Sequence, residues 1–265
     1  MQFKSDTRLL LISGFLFCSC HHAQPVKTAA DTVNLKAPGI SYHTWKGVTG
    51  KRTSVTLADS STVILNSASV LEVPDNYPQG NRRVILNGEA FFDVRPRTDS
   101  FIVVSDKLTA TVLGTSPDSA TVFKMRSFGS QHGATAYLLS GKIRIGKSYH
   151  SPTDNQPEIL ERGQMILANN DIDLMEKETY HPSEQEAWLS DSLHISHTNV
   201  MAFSRMLEDW FGVDVEIKGD TGEMPVIENE IFYKASLEDV LRRIGAQQHF
   251  KYRISDNKVT ITYGR

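Results

Sequence analysis

The sequence predicts a mainly β protein. An all-β domain of β-roll or short β-helix type spans 47–175, and a small α+β domain spans 187–265. Three observations carry this. Short runs of alternating apolar and polar residues recur about every ten residues from 47 to 170, separated by Gly, Asn, Asp and Ser. No helical period longer than two turns interrupts them. Two amphipathic helical stripes follow only after residue 187.

The first elements lie at the N-terminus. "MQFKSDTR" carries Lys4 and Arg8 and leads into the apolar "LLLISGFLFCSC" and then the polar "HHAQPVKTAADT". A membrane-crossing helix needs roughly twenty apolar residues. This shorter run matches the charged, apolar and cleavage regions of an export signal, so 1–20 is read as a signal peptide. Cys20 follows the small Ser19 and resembles the acylated cysteine of a bacterial lipoprotein. A plainly cleaved signal, an uncleaved anchor and a chain lacking its true start remain alternatives. Residues 21–46 lack periodicity and read as a flexible tether.

The strands of the β-domain follow in order. "TSVTLADSSTVILN" places Val55 and Leu57 before a turn at Asp59-Ser60, and Val63 and Leu65 after it. "RRVILNGEAFFDV" reads as two strands around Asn87-Gly88, a pair that favours a type I′ hairpin turn. "SFIVVS", "LTATVLGT", "TAYLLSGKIRIG" and "QMILANNDIDLM" complete the series. "ILNGEAFF" (85–92) aligns without gaps with "LLSGKIRI" (138–145), Gly88 on Gly141, as expected of similar β units. The acidic stretch 176–186 reads as a solvated linker.

In the last 75 or so residues the order is β-α-β-β-α-β-β. "NVMAFSRMLEDWFG" carries an apolar stripe of Val200, Phe203, Leu207 and Trp210, with Thr198 or Asn199 as N-cap and Gly212 as stop. "SLEDVLRRIGAQQ" opens on a capping-box pair, Ser236 and Asp239. A hairpin around Asp256-Asn257 closes the domain, predicting two helices on one face of a sheet. Trp210 falls on the core stripe. Phe211 points elsewhere and is the candidate exposed or interdomain anchor.

Composition narrows the function. With 28 basic and 31 acidic residues the net charge is −3, and no basic stripe marks a nucleic-acid surface. The only cysteines are Cys18 and Cys20, so the chain beyond them has no disulfide, thiol nucleophile or cysteine metal site. It has no phosphate loop and no G-x-S-x-G elbow. His194 and His197 point to opposite faces if extended. Glu208-Asp209 and Glu238-Asp239 diverge as helix neighbours. Glu89 follows the predicted turn and reads as a strand-edge or turn residue. No catalytic, cofactor or metal residue is assigned.

The stretch 47–94, with "LADSSTVILNS" and "RRVILNGEAFFDV", resembles the core of the FecR family of anti-sigma regulators. "SFIVVS", "AYLLSGKIRIG", "LERGQ", "MLEDWFGVDVEI" and "ASLEDVLRRI" continue the resemblance to about residue 263. The C-terminal part is similar to the short N-terminal signalling module of secretins and TonB-dependent transporters. The family's Asp-Gly-Ser turn is here Asp59-Ser60-Ser61, and Pro117 interrupts the strand after "VLGT". The sequence resembles the family's periplasmic half alone. The resemblance implies a periplasmic, membrane-anchored sensor that binds protein without catalysis and needs no cofactor. Its implied partner is the signalling domain of an outer-membrane TonB-dependent transporter. A sigma factor would be reached only indirectly, unless the start is truncated. The expected contact is β-augmentation or helix-face docking around the hairpin 250–263, involving Phe211, Tyr252, Ile254, Val259 and Ile261. An envelope carbohydrate-binding or assembly lipoprotein is the alternative.

Overall fold

A computed structural model describes residues 34–79, 82–113, 119–219 and 226–264. Cys20 and Pro117 lie outside the described residues. The strands are β1 (Tyr42–Lys46), β2 (Thr53–Thr56), β3 (Thr62–Leu65), β4 (Val70–Pro74), β5 (Arg82–Val94), β6 (Phe101–Val104) and β7 (Leu108–Val112). They continue as β8 (Thr121–Ser127), β9 (Gly133–Ser140), β10 (Ile143–Lys147), β11 (Glu158–Leu160), β12 (Gln164–Asn169) and β13 (Leu174–Thr179). After these come α1 (Pro182–Leu189), β14 (Ser192–Ile195), α2 (Val200–Phe211), β15 (Asp214–Lys218), β16 (Glu230–Tyr233), α3 (Leu237–Gln248), β17 (Phe250–Ser255) and β18 (Lys258–Tyr263). Strand outweighs helix by 47 % to 14 %, so the protein is mainly β.

Strands β1 to β13 form one large, nearly closed sheet with the path β11-β10-β7-β6-β5-β8-β9-β12-β13. Neighbours pair antiparallel except β5 and β6. The ends of the path approach each other, with Lys177 Nζ on β13 2.7 Å from Glu158 Oε2 on β11. Charged side chains on β13 and the brevity of β11 guard these edges against further pairing. Alternation drives one face inward, where Val63, Leu65, Phe92, Phe101, Phe123 and Ile143 are fully buried. Phe92 stacks on Phe123 with centroids 4.9 Å apart.

Strand β5 corrects the hairpin expectation. Asn87-Gly88 is no turn but the middle of a continuous strand of 13 residues. Before Gly88, β5 pairs with β4 and β6; from Gly88 onward it pairs with β3 and β8. Gly88 has φ +137°, and a Cβ there would lie 2.5 Å from the Cα of Ser69. The glycine lets the strand bend from one half of the sheet to the other at a close approach. Gly141, φ +87°, does the same between β9 and β10, so the aligned glycines share a role. The sheet is wound mainly by antiparallel neighbours, not by stacked parallel coils.

Two further expectations change. Residues 42–46, expected in the tether, form β1 and pair with β4. The expected linker at 176–186 is strand and helix: β13 pairs with β12 residue for residue, and α1 begins at Pro182.

The C-terminal elements follow the predicted order. Asn199 caps α2 by accepting from the Ala202 N–H at 2.9 Å, and Gly212 ends it in the left-handed region at φ 63°. Ser236 and Asp239 form the capping box of α3. The strands divide into two small sheets rather than one: β14-β16, and β15-β18-β17 with β15 and β18 parallel. Phe203, Leu207, Leu241, Ile244 and Val259 build their shared core. No helix of the described residues is long and apolar enough to cross a membrane.

Candidate functional site

The site is built outward from Glu89. Alternation along β5 turns Ala90 and Phe92 into the β core and leaves Glu89 and Phe91 on the opposite face. On β8 the same alternation turns Lys124 and Arg126 to that face, directly opposite Phe91 and Glu89. The C-terminal elements cover it. Glu89 is only 1 % exposed, which overturns its reading as a turn or edge residue. Its carboxylate lies 2.7 Å from Lys124 Nζ and 3.5 Å from Arg126 Nη1, and accepts from Asn66 Nδ2 at 2.7 Å. Burial alone would raise its pKa, but the two cations and the Asn66 amide outweigh burial and hold it below the usual carboxylate value. A carboxylate so held has no proton to give at neutral pH. It acts as an electrostatic strut.

Above this strut lies a seam between the β core and the C-terminal elements. Trp188, on α1, stacks on Phe91 at 4.6 Å. The Arg52 guanidinium sits 3.8 Å from the ring centre of Trp188 and 4.5 Å from that of Trp210. Its Nη1 donates to Asp191 Oδ1 at 2.6 Å and to the Trp188 carbonyl. Burial lowers the Arg52 pKa to about 10, against the pull of Asp191 and Glu89, so it stays charged at neutral pH. Asn66 also donates to the Trp210 carbonyl at 3.3 Å. The Leu237 N–H, at the start of α3, donates to the Gly50 carbonyl at 3.0 Å. Among the described residues, two buried donors at this seam, Arg52 Nη2 and Trp188 Nε1, find no hydrogen-bond partner. The seam is therefore polar, charged and incompletely satisfied, unlike the two apolar cores it joins.

Beside the seam runs an open groove of about 560 Å³. Met201, Ala202, Met206 and Trp210 of α2 line one side, and Lys124 and Trp188 the other. Arg205 and Asp209 stand on its rim, both exposed.

The predicted contact residues fall apart into core and edge. Phe211 is 5 % exposed and packs in the C-terminal core, which corrects its reading as an exposed anchor. The buried stripe of α2 is Val200, Phe203, Ser204, Leu207 and Phe211. The i, i+3, i+4, i+7, i+11 spacing centres on Phe211 and leaves Trp210 at its margin, where it reaches Arg52. Val259 and Ile261 are fully buried on β18, the middle strand of its sheet. Tyr252 and Ile254 lie half-buried on β17, which has a free edge among the described residues. Sequence reasoning missed Arg52, Asn66, Lys124 and Asp191, because no local pattern links positions so far apart. Among the described residues no three His, Cys, Asp or Glu side chains assemble as a metal set.

Comparison with known proteins gives this geometry a family. A model described as "FecR protein" matches residues 43–144, and one described as "FecR, C-terminal" matches 193–261. Together they span well over half of the sequence, and the chain belongs to the FecR family of anti-sigma regulators. Two crystal structures of a proposed anti-sigma factor from Parabacteroides distasonis share the fold, each with TM-score 0.56 and 21 % identity. They cover 84 % and 85 % of this chain and 100 % of their own. No curated protein matches.

Proposed function

We propose that this chain is a periplasmic FecR-type adaptor in cell-surface signalling, anchored through Cys20. Residues 47–175 are its β-domain and 187–265 its signalling-type domain. The signalling domain of an outer-membrane TonB-dependent transporter docks on the C-terminal domain, and the signal reaches a sigma factor indirectly. The protein works by binding, without catalysis. The observation that carries this reading is the pair of family matches, with the FecR C-terminal region folded around a sheet whose β17 edge is unpaired among the described residues. An unpaired edge accepts a partner's strand through main-chain hydrogen bonds, and the half-buried Tyr252 and Ile254 lie along it. A strut of neutralised charge at Glu89, instead of an acid–base pair, agrees with a non-catalytic role.

The test is titration of the purified transporter signalling domain against the full chain and against Ile254→Pro. Ser255 and Lys258 form the hydrogen-bonded pair beside the two-residue turn, so Ile254 faces Val259 in a non-hydrogen-bonded pair and its N–H points to the free edge, where proline removes the donor. Binding that weakens at least about tenfold while circular dichroism stays unchanged supports edge docking. Equal binding by both proteins sinks that mode, and no binding by the unaltered chain sinks the transporter reading.

A further inference from the structure

We propose that the free edge of β17 selects its partner by charge: the strand it takes up carries carboxylates on alternate residues. The inference rests on the edge-docking reading given above and names the chemistry of the strand that docks.

The two faces of β17 are unlike. Phe250, Tyr252 and Ile254 turn inward, buried or half-buried against the C-terminal core. Lys251 and Arg253, between them, turn outward and are exposed. Among the described residues neither cation has an ion-pair partner. Their neighbours on β18 offer none, since Thr262 lies opposite Lys251 and Thr260 opposite Arg253. The acids on the strands of this outer face are Asp214 and Glu216 on β15, with β18 between them and β17. Asp214 lies in register with Lys258, and Glu216 pairs with Lys258 at 2.9 Å and with Lys218 at 3.4 Å. Positive charge is therefore matched on the β15 side of the sheet and left unmatched at the β17 edge.

The main chain fixes where a partner lies. The N–H groups of Tyr252 and Ile254 point to the free edge, so a docked strand runs alongside both. Residues directly opposite each other share a face, with Cβ atoms about 4.5–5.5 Å apart. The partner residues opposite Lys251 and Arg253 stand on the outer face, with one residue between them that turns inward beside Tyr252. Carboxylates at the two outer positions meet the unmatched cations, and an apolar residue between them extends the core. The complementary pattern is acid, apolar, acid over three residues. The same cations exclude a second copy. Two β17 edges paired antiparallel about Tyr252 would set Lys251 against Arg253 twice, and like charges in opposite positions are destabilising. A phosphate-bearing surface would neutralise the cations but has no main chain to fill the edge.

The experiment uses the full chain in detergent and two short end-blocked peptides, one alternating valine with glutamate and the other valine with lysine. Binding is read by fluorescence anisotropy of the labelled peptides. The glutamate peptide is expected to bind at least about tenfold more tightly, because two cross-strand pairs change from attraction to repulsion. Lys251→Glu combined with Arg253→Glu reverses that order. Both positions are exposed, so far-ultraviolet circular dichroism stays unchanged. Ile254→Pro weakens binding of the glutamate peptide by removing an edge donor. Equal binding of the two peptides, or an order that the double variant leaves in place, overturns charge selection while edge docking stands. Undiminished binding of the glutamate peptide by Ile254→Pro shows the cations attracting any anion, and overturns edge docking together with this inference. Binding of neither peptide up to millimolar concentration overturns the inference alone, since titration with the transporter domain judges the docking reading separately.

Discussion

Glu89 ionises where bare burial would keep it neutral, because its site supplies two cations and an amide donor. Removing the carboxylate leaves Lys124 and Arg126 without their counter-charge on a covered face. Glu89→Ala is therefore expected to destabilise the fold by about 3–5 kcal/mol in chemical denaturation. The pH dependence follows from the lowered folded-state pKa. An unfolded chain binds the proton near the ordinary value of 4.5, whereas the folded chain resists it to lower pH. Glu89 thus adds stability above about pH 4.5 that is lost as pH falls through the folded-state pKa. Glu89→Gln should flatten that acid limb of the stability curve, and an unchanged limb would show that other carboxylates dominate it. Arg52 makes the same kind of link across the seam. Its replacement by Ala empties the space between two indole rings and frees Asp191, an expected loss of about 2–3 kcal/mol with a red-shifted tryptophan emission.

Among the elements, β5 shows how a local signal can be right in chemistry and wrong in geometry. Asn87-Gly88 does mark a position that needs an unusual backbone, but the strand bends there instead of reversing. Both halves of β5 have strands waiting on either side, so continuing through the bend satisfies more backbone groups than a turn would. Gly88→Ala places a Cβ against the Ser69 backbone at φ +137°. The expected cost is about 3 kcal/mol or more, read as a fall in melting temperature or failure to express folded. The helix signals transferred intact because caps are local. Asn199→Ala should cost about 1 kcal/mol, measured by thermal unfolding, through loss of the bond to the Ala202 N–H. The exchange of roles between Trp210 and Phe211 has an equally plain cause. Neighbours on a helix differ by about 100°, and a short stripe tolerates either residue until the whole run to position 211 is weighed.

At the scale of the whole molecule, the described residues form one compact unit in which two apolar cores meet at a third small cluster of Phe91, Leu139 and Trp188. That cluster and the Arg52 contacts couple the cores, so the chain is expected to unfold in a single transition. Trp188→Ala removes the stacked ring at the seam, with a cost of about 3–5 kcal/mol. Calorimetry should then resolve two transitions, one for each core; a single lowered transition would mean that the remaining contacts suffice to couple them. The sequence by itself determined the mainly β class, the order of the last seven elements, the helix caps and the family resemblance. Each of these is written in neighbours or in short periods, which a linear reading can follow. Only the tertiary structure decided that β5 runs unbroken through Gly88, that Glu89 is buried between Lys124 and Arg126, and that Arg52 lies between Trp188 and Trp210. Those facts depend on side chains from 23 to 139 positions apart meeting across the sheet and seam, and no local pattern encodes a meeting of that range.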